Sequence, residues 1–572
     1  MGAARSVSVA LTGSGGSGVI TAGNMLLDAA GQAGWYGLMT RSSGPQIRGG
    51  EAAALLRLSP DPVGAPDDAF DILAALDWEN IQRFADELPL GPESLVLADP
   101  AAGEMPAAIA AKGARCTAVP FKDLAKKIPD GRPNMVALGA VAALAGLPDD
   151  AVRTAVDEML SAYKPGARAA GAVAVAAGCA AARGLALDPA GPRGGETQRV
   201  RWTISGNEAV GLGALRGGVR FVAAYPITPA TEILEWMTPA LRQLGGVLVQ
   251  AEDELASISM ILGASYGGTP ALTATSGPGL ALMLESLGLA VASETPVVLV
   301  DVMRGGPSTG IPTKSEQTDL NIALYGFHGE APHIVVAPNS VADCLFTTQW
   351  AVHLAEALQT PAIVLSDQLL GQARAIIDRP ARAPVVTERQ VARAPTASYG
   401  RYAVTESGVS PMSLPGTRGG QYTADGLEHN PRGTPSSQAS DHRAQLDKRA
   451  RKVELFDYGA AWADIEGEGD VAVVTWGSTT GAVREALARA SAEGLRARLV
   501  SLRLLWPARP AELERALAGV KRVLVIEQSH SGQFYRYLRA HCEIGAKMRA
   551  YFRPGPLPFR PAEILAELRR GD

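Results

Sequence analysis

Four residues stand out by type and by place: Thr228, Glu252, Ser276 and Arg304. Each follows a short strand-like run. Arg220 to Ala224 leads into Tyr225-Pro226-Ile227-Thr228-Pro229, and Val247 to Gln250 into Ala251-Glu252-Asp253-Glu254. Ala271 to Ala274 leads into Thr275-Ser276-Gly277-Pro278-Gly279, and Val297 to Met303 into Arg304-Gly305-Gly306-Pro307-Ser308-Thr309-Gly310. A guanidinium fork matches the two oxygens of a carboxylate, so Arg304 with the Thr228 hydroxyl suits a small organic acid. A carboxylate on an apolar scaffold, as at Glu252, suits proton relay. The plainer alternatives are that Glu252 simply favours a helix N-terminus and that Arg304 is a structural ion-pair partner. The pattern alone leaves both open.

To act together these residues need strands that run side by side. Ligands in open parallel sheets bind at the carboxyl ends of the strands, so one shared sheet would line them along a single edge. Glu252 is expected to start a helix whose apolar residues Leu255, Ile258 and Leu262 recur with a 3.6-residue period.

The wider chain predicts an α/β protein with three folded segments. Residues 1–190 open with the strand-like Val7 to Leu11, the glycine loop Gly13-Ser14-Gly15-Gly16-Ser17-Gly18 and a helical stretch, a Rossmann-like beginning. Strands are expected at Phe70 to Ala75 and Ser94 to Ala98, and an Ala-rich helix near the end. A Pro/Gly hinge, Leu187 to Gly195, precedes a second segment, 197–377, whose alternation of strands and helices is that of a parallel sheet. Residues 378–455 are rich in Pro, Gly, Ser and Thr, and read as an extended connector with little regular structure. Residues 456–572 return to α/β, with strands at Val471 to Trp476 and Val523 to Glu527.

Composition narrows the function. Hydrophobic residues make up 47% of the 572, which suits substantial buried cores. The net charge of −5 argues against nucleic acid as a partner. The start of the chain does not read as a secretory leader, and the run between Arg168 and Arg183 reads as too short to span a bilayer. The expectation is a cytoplasmic protein without a membrane partner. Cys116, Cys179, Cys344 and Cys542 lie far apart in sequence and are expected to be buried thiols, not a cluster or zinc site. The seven histidines form no metal-spaced pair, so no metal ligands are assigned.

The Tyr225 to Pro229 stretch with Ala230-Thr231, and Arg304 to Gly310 with Ile311-Pro312-Thr313-Lys314-Ser315-Glu316-Gln317, resemble the signature stretches of the 2-oxoacid:ferredoxin oxidoreductase family. Gly206-Asn207-Glu208-Ala209, the loop Gly13 to Gly18 and Gly44-Pro45-Gln46-Ile47-Arg48-Gly49-Gly50 fit the same resemblance, which covers nearly the whole chain. It is closest to an alpha subunit of the 2-oxoglutarate type with the gamma domain fused at its N-terminus. It implies a Rossmann-like gamma domain associated with coenzyme A, a pyrimidine-type domain of thiamine enzymes, and a transketolase C-terminal-like domain. By the same resemblance Glu252 hydrogen-bonds the aminopyrimidine ring of thiamine diphosphate, while Thr228 and Arg304 orient the 2-oxoacid carboxylate. Gly13, Gly15, Gly16 and Gly18, with Arg48, are implied contacts for coenzyme A phosphates. The implied reaction takes 2-oxoglutarate, coenzyme A and oxidised ferredoxin to succinyl-CoA, carbon dioxide and reduced ferredoxin, with the reverse open. Pyruvate or a branched-chain 2-oxoacid is the alternative substrate. Glu527 and Gln533 read as structural.

The sequence contains no Gly-Asp-Gly followed at suitable distance by Asn to anchor a metal–diphosphate, and Glu466-Gly467-Glu468-Gly469-Asp470 precedes a strand instead of ending one. The resemblance therefore implies a beta subunit carrying that anchor, Mg2+ and a [4Fe-4S] cluster, in an alpha2-beta2 assembly that reduces ferredoxin. Two rivals remain at this stage. One is a nicotinamide-dependent dehydrogenase built on Gly13 to Gly18, which lacks an acidic strand end near residue 38. The other is a non-catalytic scaffold subunit.

Overall fold

In the computed structural model, residues 6–44, 50–192, 200–311, 314–381, 383, 385 and 387–570 are described. In chain order the strands are β1 (Val7–Ser14), β2 (Tyr36–Ser43), β3 (Glu51–Ser59), β4 (Ile72–Ala75), β5 (Leu95–Ala98), β6 (Arg115–Ala118) and β7 (Arg201–Ser205). Then come β8 (Phe221–Ala224), β9 (Val247–Gln250), β10 (Ala271–Thr275), β11 (Val298–Met303), β12 (Ile334–Val336), β13 (Ala362–Asp367) and β14 (Arg374–Asp378). The last are β15 (Ala463–Glu466), β16 (Val471–Trp476), β17 (Ala497–Leu502), β18 (Leu504–Trp506), β19 (Arg522–Glu527) and β20 (Lys547–Phe552). They form three sheets, and the α/β expectation holds.

The chain divides into two compact units, residues 1–205 with 372–381 and 557–566, and residues 206–371 with 382–556 and 567–572. The first unit carries one sheet in the order β6-β5-β4-β1-β3-β2-β14-β7. β1, β4, β5 and β6 are parallel, while β3 and β2 turn antiparallel. Both faces are buried: Val7, Val9 and Leu11 join one apolar cluster and Ala10 joins another, as expected where helices and loops cover both sides. β14, from far along the chain, joins the sheet between β2 and β7. Helix Pro165–Arg183 is the expected Ala-rich helix. At 19 residues it is long and apolar enough to cross a membrane by length and composition, contrary to the reading of it as too short. Here it packs on helix Pro133–Leu144. A Cβ on Gly139 or Gly178 would overlap the backbone of the opposite helix, so the glycines are what allow the two to approach.

The second unit holds two sheets. The larger, β18-β12-β13-β11-β10-β8-β9, is parallel except for the antiparallel β18, which belongs to the last segment of sequence. The smaller, β15-β17-β16-β19-β20, is parallel apart from its edge strand β15.

The connector is less irregular than its composition suggests. Helix Ala439–Glu454 forms across the charged run and turns Lys448 and Lys452 inward. A helix that buries lysines inverts the usual amphipathic pattern, which is why periodicity does not reveal it. The partner of both lysines is Glu294, fully buried: Lys448 Nζ donates to Oε1 at 2.5 Å and Lys452 Nζ to Oε2 at 3.1 Å. Buried Arg401 donates to the Glu294 carbonyl at 2.8 Å. A second staple is Arg389, whose Nε and Nη2 grip Glu356 at 2.7 and 2.8 Å.

Burial works against the charge on Glu294, yet the surrounding cations hold its carboxyl far below the usual range. Burial also pulls Lys452 from 10.5 down to about 7, with Glu294 opposing. Glu294→Gln leaves buried cations without their counter-charge and is expected to destabilise the fold by about 3–5 kcal/mol, read from urea unfolding. Between about pH 7 and 10.5 the unfolded chain binds the Lys452 proton more tightly than the folded chain does. The Lys452 contribution to stability should therefore rise as pH climbs through that window. Urea midpoints measured across it, with Lys452→Met as the flat control, check this.

Candidate functional site

Strands β11, β10, β8 and β9 are consecutive neighbours and run parallel, with Thr275 opposite Asp301 and Ala224 opposite Gln250. Their four exits therefore open on one edge of the sheet. Thr228, Glu252, Ser276 and Arg304 lie within four residues of those strand ends. The sheet brings the expected set to one rim.

Within the set, Arg304 and Thr228 touch directly. Arg304 Nη1 donates to the Thr228 carbonyl at 2.7 Å, so the guanidinium ties the two loops together through the backbone and leaves the exposed Thr228 hydroxyl out of that contact. Arg304 Nε is buried and, among the described residues, has no acceptor. Burial lowers the pKa of this guanidinium, and the nearby Asp319 carboxyl opposes that. The Ser276 Oγ is likewise buried without a described partner. Unpaired buried polar atoms are costly in a finished interior, and two of them lie at this rim.

Glu252 departs from its expected setting. It does not start the helix: Asp253 is the cap, its Oδ1 accepting from Ala256 N at 2.7 Å, and the helix spans Glu254–Tyr266. Ile258 and Leu262 are buried but Leu255 is 51% exposed, so the apolar period is broken at its first member. The shift puts Glu252 outside the helix, exposed beside the β8 exit, with Ala251 N donating to the Ala224 carbonyl at 3.0 Å. Among the described residues no side-chain hydrogen bond or ion pair engages its carboxylate. Its local role is not helix capping.

Sequence reasoning missed three carboxyls. Glu254 is buried in the first helical turn, and a Cβ on Gly279 would fall 2.7 Å from its Cγ. Asp301 sits in the middle of β11 and is fully buried; Asp319 precedes helix Leu320–Tyr325. Burial raises both aspartates, Asp301 well above the carboxylate range and Asp319 to about 6. The available signal was a lone acid inside Val298-Leu299-Val300-Asp301-Val302-Met303, since acids are almost never fully buried without a partner.

The C-terminal segment holds the Asp319 loop in place. Gln317 Nε2 donates to the Trp476 carbonyl at 2.8 Å, and its Oε1 accepts from Gln528 N at 2.8 Å. Gln533 donates to the Thr318 carbonyl and accepts from Asn321 N, each at 2.9 Å. Glu527 accepts from Phe534 N and Tyr535 N at 2.8 Å and from the Ser529 hydroxyl at 2.9 Å. Glu527 and Gln533 are structural, as expected.

In the first unit Gly13 lies inside β1, Gly15 and Gly16 form the turn, and Gly18 precedes helix Val19–Gln32. Gly18 has φ +83°, and a Cβ there would also meet Asn134 Nδ2 at 2.5 Å, so glycine is required. Gly15 N is already donated to the Gly50 carbonyl at 2.6 Å. Ser14 donates from its amide and its hydroxyl to Asp77 Oδ2, both at 3.0 Å. Arg48 lies outside the described residues. Cys179 and Cys344 are buried as expected, Cys542 is partly so, and Cys116 is exposed because the sheet-edge strand β6 leaves it uncovered.

Three family models match the chain. Residues 212–448 match the thiamine diphosphate-binding domain of pyruvate flavodoxin/ferredoxin oxidoreductase, residues 8–181 match pyruvate ferredoxin/flavodoxin oxidoreductase, and residues 469–556 match core domain II of pyruvate:ferredoxin oxidoreductase. The 2-oxoglutarate synthase subunit KorA of Methanothermobacter marburgensis is 35% identical over 371 residues, 64% of this chain and 97% of that protein. Subunit alpha of 2-oxoacid:ferredoxin oxidoreductase 2 of Aeropyrum pernix is 37% identical over 62% of this chain and 58% of its own length. The structure of the Magnetococcus marinus 2-oxoglutarate:ferredoxin oxidoreductase with 2-oxoglutarate, coenzyme A and succinyl-CoA bound superposes with a TM-score of 0.91 at 36% identity, covering 99% of both chains.

Gln317→Ala removes one donor and one acceptor at once and leaves the Trp476 carbonyl and the Gln528 amide buried. At roughly 1–3 kcal/mol for each unsatisfied group, a loss of several degrees in thermal midpoint is expected, measured by circular dichroism.

Proposed function

The chain belongs to the 2-oxoacid:ferredoxin oxidoreductase family as an alpha subunit, and we propose that its substrate is 2-oxoglutarate, oxidised with coenzyme A to succinyl-CoA and carbon dioxide. It is a subunit of a thiamine diphosphate-dependent enzyme with partner subunits and ferredoxin as acceptor. Support for 2-oxoglutarate over pyruvate or a branched-chain acid comes from the M. marburgensis and M. marinus relatives, both named for that substrate.

One observation carries the reading: Arg304, Thr228 and Glu252 stand on one rim of a parallel sheet, with Arg304 tied to the Thr228 backbone and no side-chain partner for the Glu252 carboxylate among the described residues. These residues fit thiamine diphosphate and an oxoacid. When bound, thiamine diphosphate supplies the electron sink for loss of carbon dioxide. The Glu252 carboxylate holds a proton at the aminopyrimidine ring. Arg304, fixed by its bond to the Thr228 backbone, offers the rest of its guanidinium to the substrate carboxylate, and the exposed Thr228 hydroxyl adds a second donor.

The diphosphate, its Mg2+ and a [4Fe-4S] cluster are assigned to a beta subunit in an alpha2-beta2 assembly. Exposed apolar side chains support such a partner: Val247 on the sheet-edge strand β9, and Leu255 and Met260 on the following helix, are large and open to solvent, which suits an interaction surface. The first unit, through Gly13, Gly15, Gly16 and Gly18 with Arg48, is assigned to coenzyme A. With Gly15 N occupied, the amides nearest the helix start carry the phosphate contacts. A cytoplasmic location completes the proposal.

Co-expression with the neighbouring beta subunit should give a complex that oxidises 2-oxoglutarate in a coenzyme A-dependent manner, faster than pyruvate or branched-chain acids. Glu252→Gln should lower turnover by about 10²- to 10⁴-fold with assembly intact. Arg304→Gln should raise the KM for the oxoacid by roughly 10- to 100-fold, the worth of a charged hydrogen bond. A Glu252→Gln complex with wild-type turnover would instead support a scaffold role.

A further inference from the structure

Asn207 enters no step above, yet it holds the loop that presents Thr228. The loop Tyr225-Pro226-Ile227-Thr228-Pro229 contains two prolines, which have no N–H to give. Its carbonyls must therefore find donors elsewhere. The Ile227 carbonyl accepts from Ala230 N at 2.8 Å and Thr231 N at 3.0 Å, at the start of helix Thr231–Gln243. The Thr228 carbonyl accepts from Arg304 Nη1 at 2.7 Å. The Pro229 carbonyl accepts from Asn207 Nδ2 at 3.0 Å, in a buried contact. Thr228 is exposed and Pro229 is buried, so the chain turns inward just where that amide takes hold of it. Asn207 is itself fully buried, in the first turn of helix Gly206–Arg216. Its Nδ2 also donates to Glu232 Oε2 at 3.2 Å, in the first turn of helix Thr231–Gln243. A carbonyl and a carboxylate are both acceptors, so only the nitrogen of the amide can face them. The opposite side leaves no room to withdraw: a Cβ on Gly371 would lie 2.6 Å from Asn207 Oδ1, and one on Gly206 2.2 Å from the Leu370 carbonyl oxygen. Asn207 Oδ1 is buried and, among the described residues, has no donor. A buried amide that uses both its hydrogens and leaves its oxygen unpaired serves as a donor.

We propose that Asn207 is a positioning residue for the oxoacid: by holding the Pro229 carbonyl it fixes the backbone that aims the Thr228 hydroxyl. It does not touch the substrate. The two peptide planes that flank Pro229 are gripped by side chains from separate elements, the first by Arg304 from the β11 exit and the second by Asn207 from helix Gly206–Arg216. The proline ring between them locks its own φ, so little freedom remains at Thr228. A donor ordered before the substrate arrives costs nothing to order on binding. Without Asn207 the substrate must supply that ordering from its own affinity. The carboxylate contact is made alike in the bound substrate and in the transition state, so the loss falls on KM more than on kcat. The role rests on the assignment of Thr228 and Arg304 to the oxoacid carboxylate.

The test uses the complete complex with the beta subunit, 2-oxoglutarate and coenzyme A. Asn207→Ala removes the amide. Asn207→Asp keeps its size and shape but sets an acceptor against the Pro229 carbonyl; it is measured at mildly alkaline pH, where the new carboxyl is ionised. Each should raise the KM for 2-oxoglutarate by about three- to tenfold, the order of one hydrogen bond. The kcat should stay within about twofold of wild type, and the KM for coenzyme A should not change. A merely structural role would not give that split, because a loosened fold affects both substrates. Combining Asn207→Ala with Thr228→Ala should raise the KM for 2-oxoglutarate by less than the product of the two single effects, since no hydroxyl is left to aim. A wild-type KM in Asn207→Asp overturns the proposal, because size alone would then suffice. Equal rises in both KM values overturn it too, as does a double variant that reaches the full product. If Asn207→Asp does not assemble with the beta subunit, Asn207→Ala, which adds no charge, carries the split and the double-variant comparison. Failure of both to assemble assigns Asn207 to stability alone and overturns the proposal. Thr228→Ala separates the two levels. If it leaves the KM for 2-oxoglutarate unchanged, the functional reading fails and the role of Asn207 with it; if it raises that KM while the Asn207 variants match wild type, the role of Asn207 fails alone.

Discussion

A single hydrogen bond, from Arg304 Nη1 to the Thr228 carbonyl, spans the exits of two strands separated by β10 and gives the rim a fixed shape. It uses one edge of the guanidinium and leaves Nε buried without a described partner. The bond is possible only because β8, β10 and β11 are parallel and in register, which delivers the two loops to the same side. Everything else in the second unit can be understood as support for that edge. The C-terminal segment lends β18 to the far side of the sheet and clamps the loop before Asp319 through Gln317 and Gln533. The connector is pinned by buried ions at Glu294, just past the C-terminal end of helix Gly277–Ala292, whose N-terminus faces Asp319.

The sheet and its rim were legible because they depend on local signals. Four apolar runs, each ending in Gly, Pro or a polar residue, are what a buried parallel strand and its exit look like in any sequence. The placement of Thr228, Ser276 and Arg304 follows from that pattern alone. Glu252 was placed on the correct rim but in the wrong local setting. Two carboxylates, Asp253 and Glu254, follow it directly, and composition does not say which of three adjacent acids caps the helix. Only the extended backbone of Asp253 and its bond to Ala256 N decide that.

What was not legible depends on distant partners. β7, β14 and β18 pair antiparallel with strands far away in the chain, and no local period encodes such a register. The helix Ala439–Glu454 reads as a solvated charge run until Glu294 is placed opposite it. Cys116 reads as a buried thiol until β6 is seen to be the outermost strand. Asp301 stands out as a lone acid in an apolar strand, but Asp319 follows a glycine- and proline-rich loop and reads as an ordinary helix-start acid until the fold sets it at Gly277.

The two buried charge systems of the second unit answer opposite problems with the same physics. At Glu294 the excess is positive, and burial is tolerated because one carboxylate is shared by cations, one of them, Lys452, brought close to giving up its proton. At Asp301 and Asp319 the excess is negative, and burial pushes both carboxyls towards their neutral forms. The first is buried throughout and joins the connector helix to the turn before β11. The second shares the β11 exit with Arg304, whose own charge is disfavoured by burial and favoured by Asp319. Placement at the sheet rim, more than burial, is therefore what separates the aspartates from the lysine cluster.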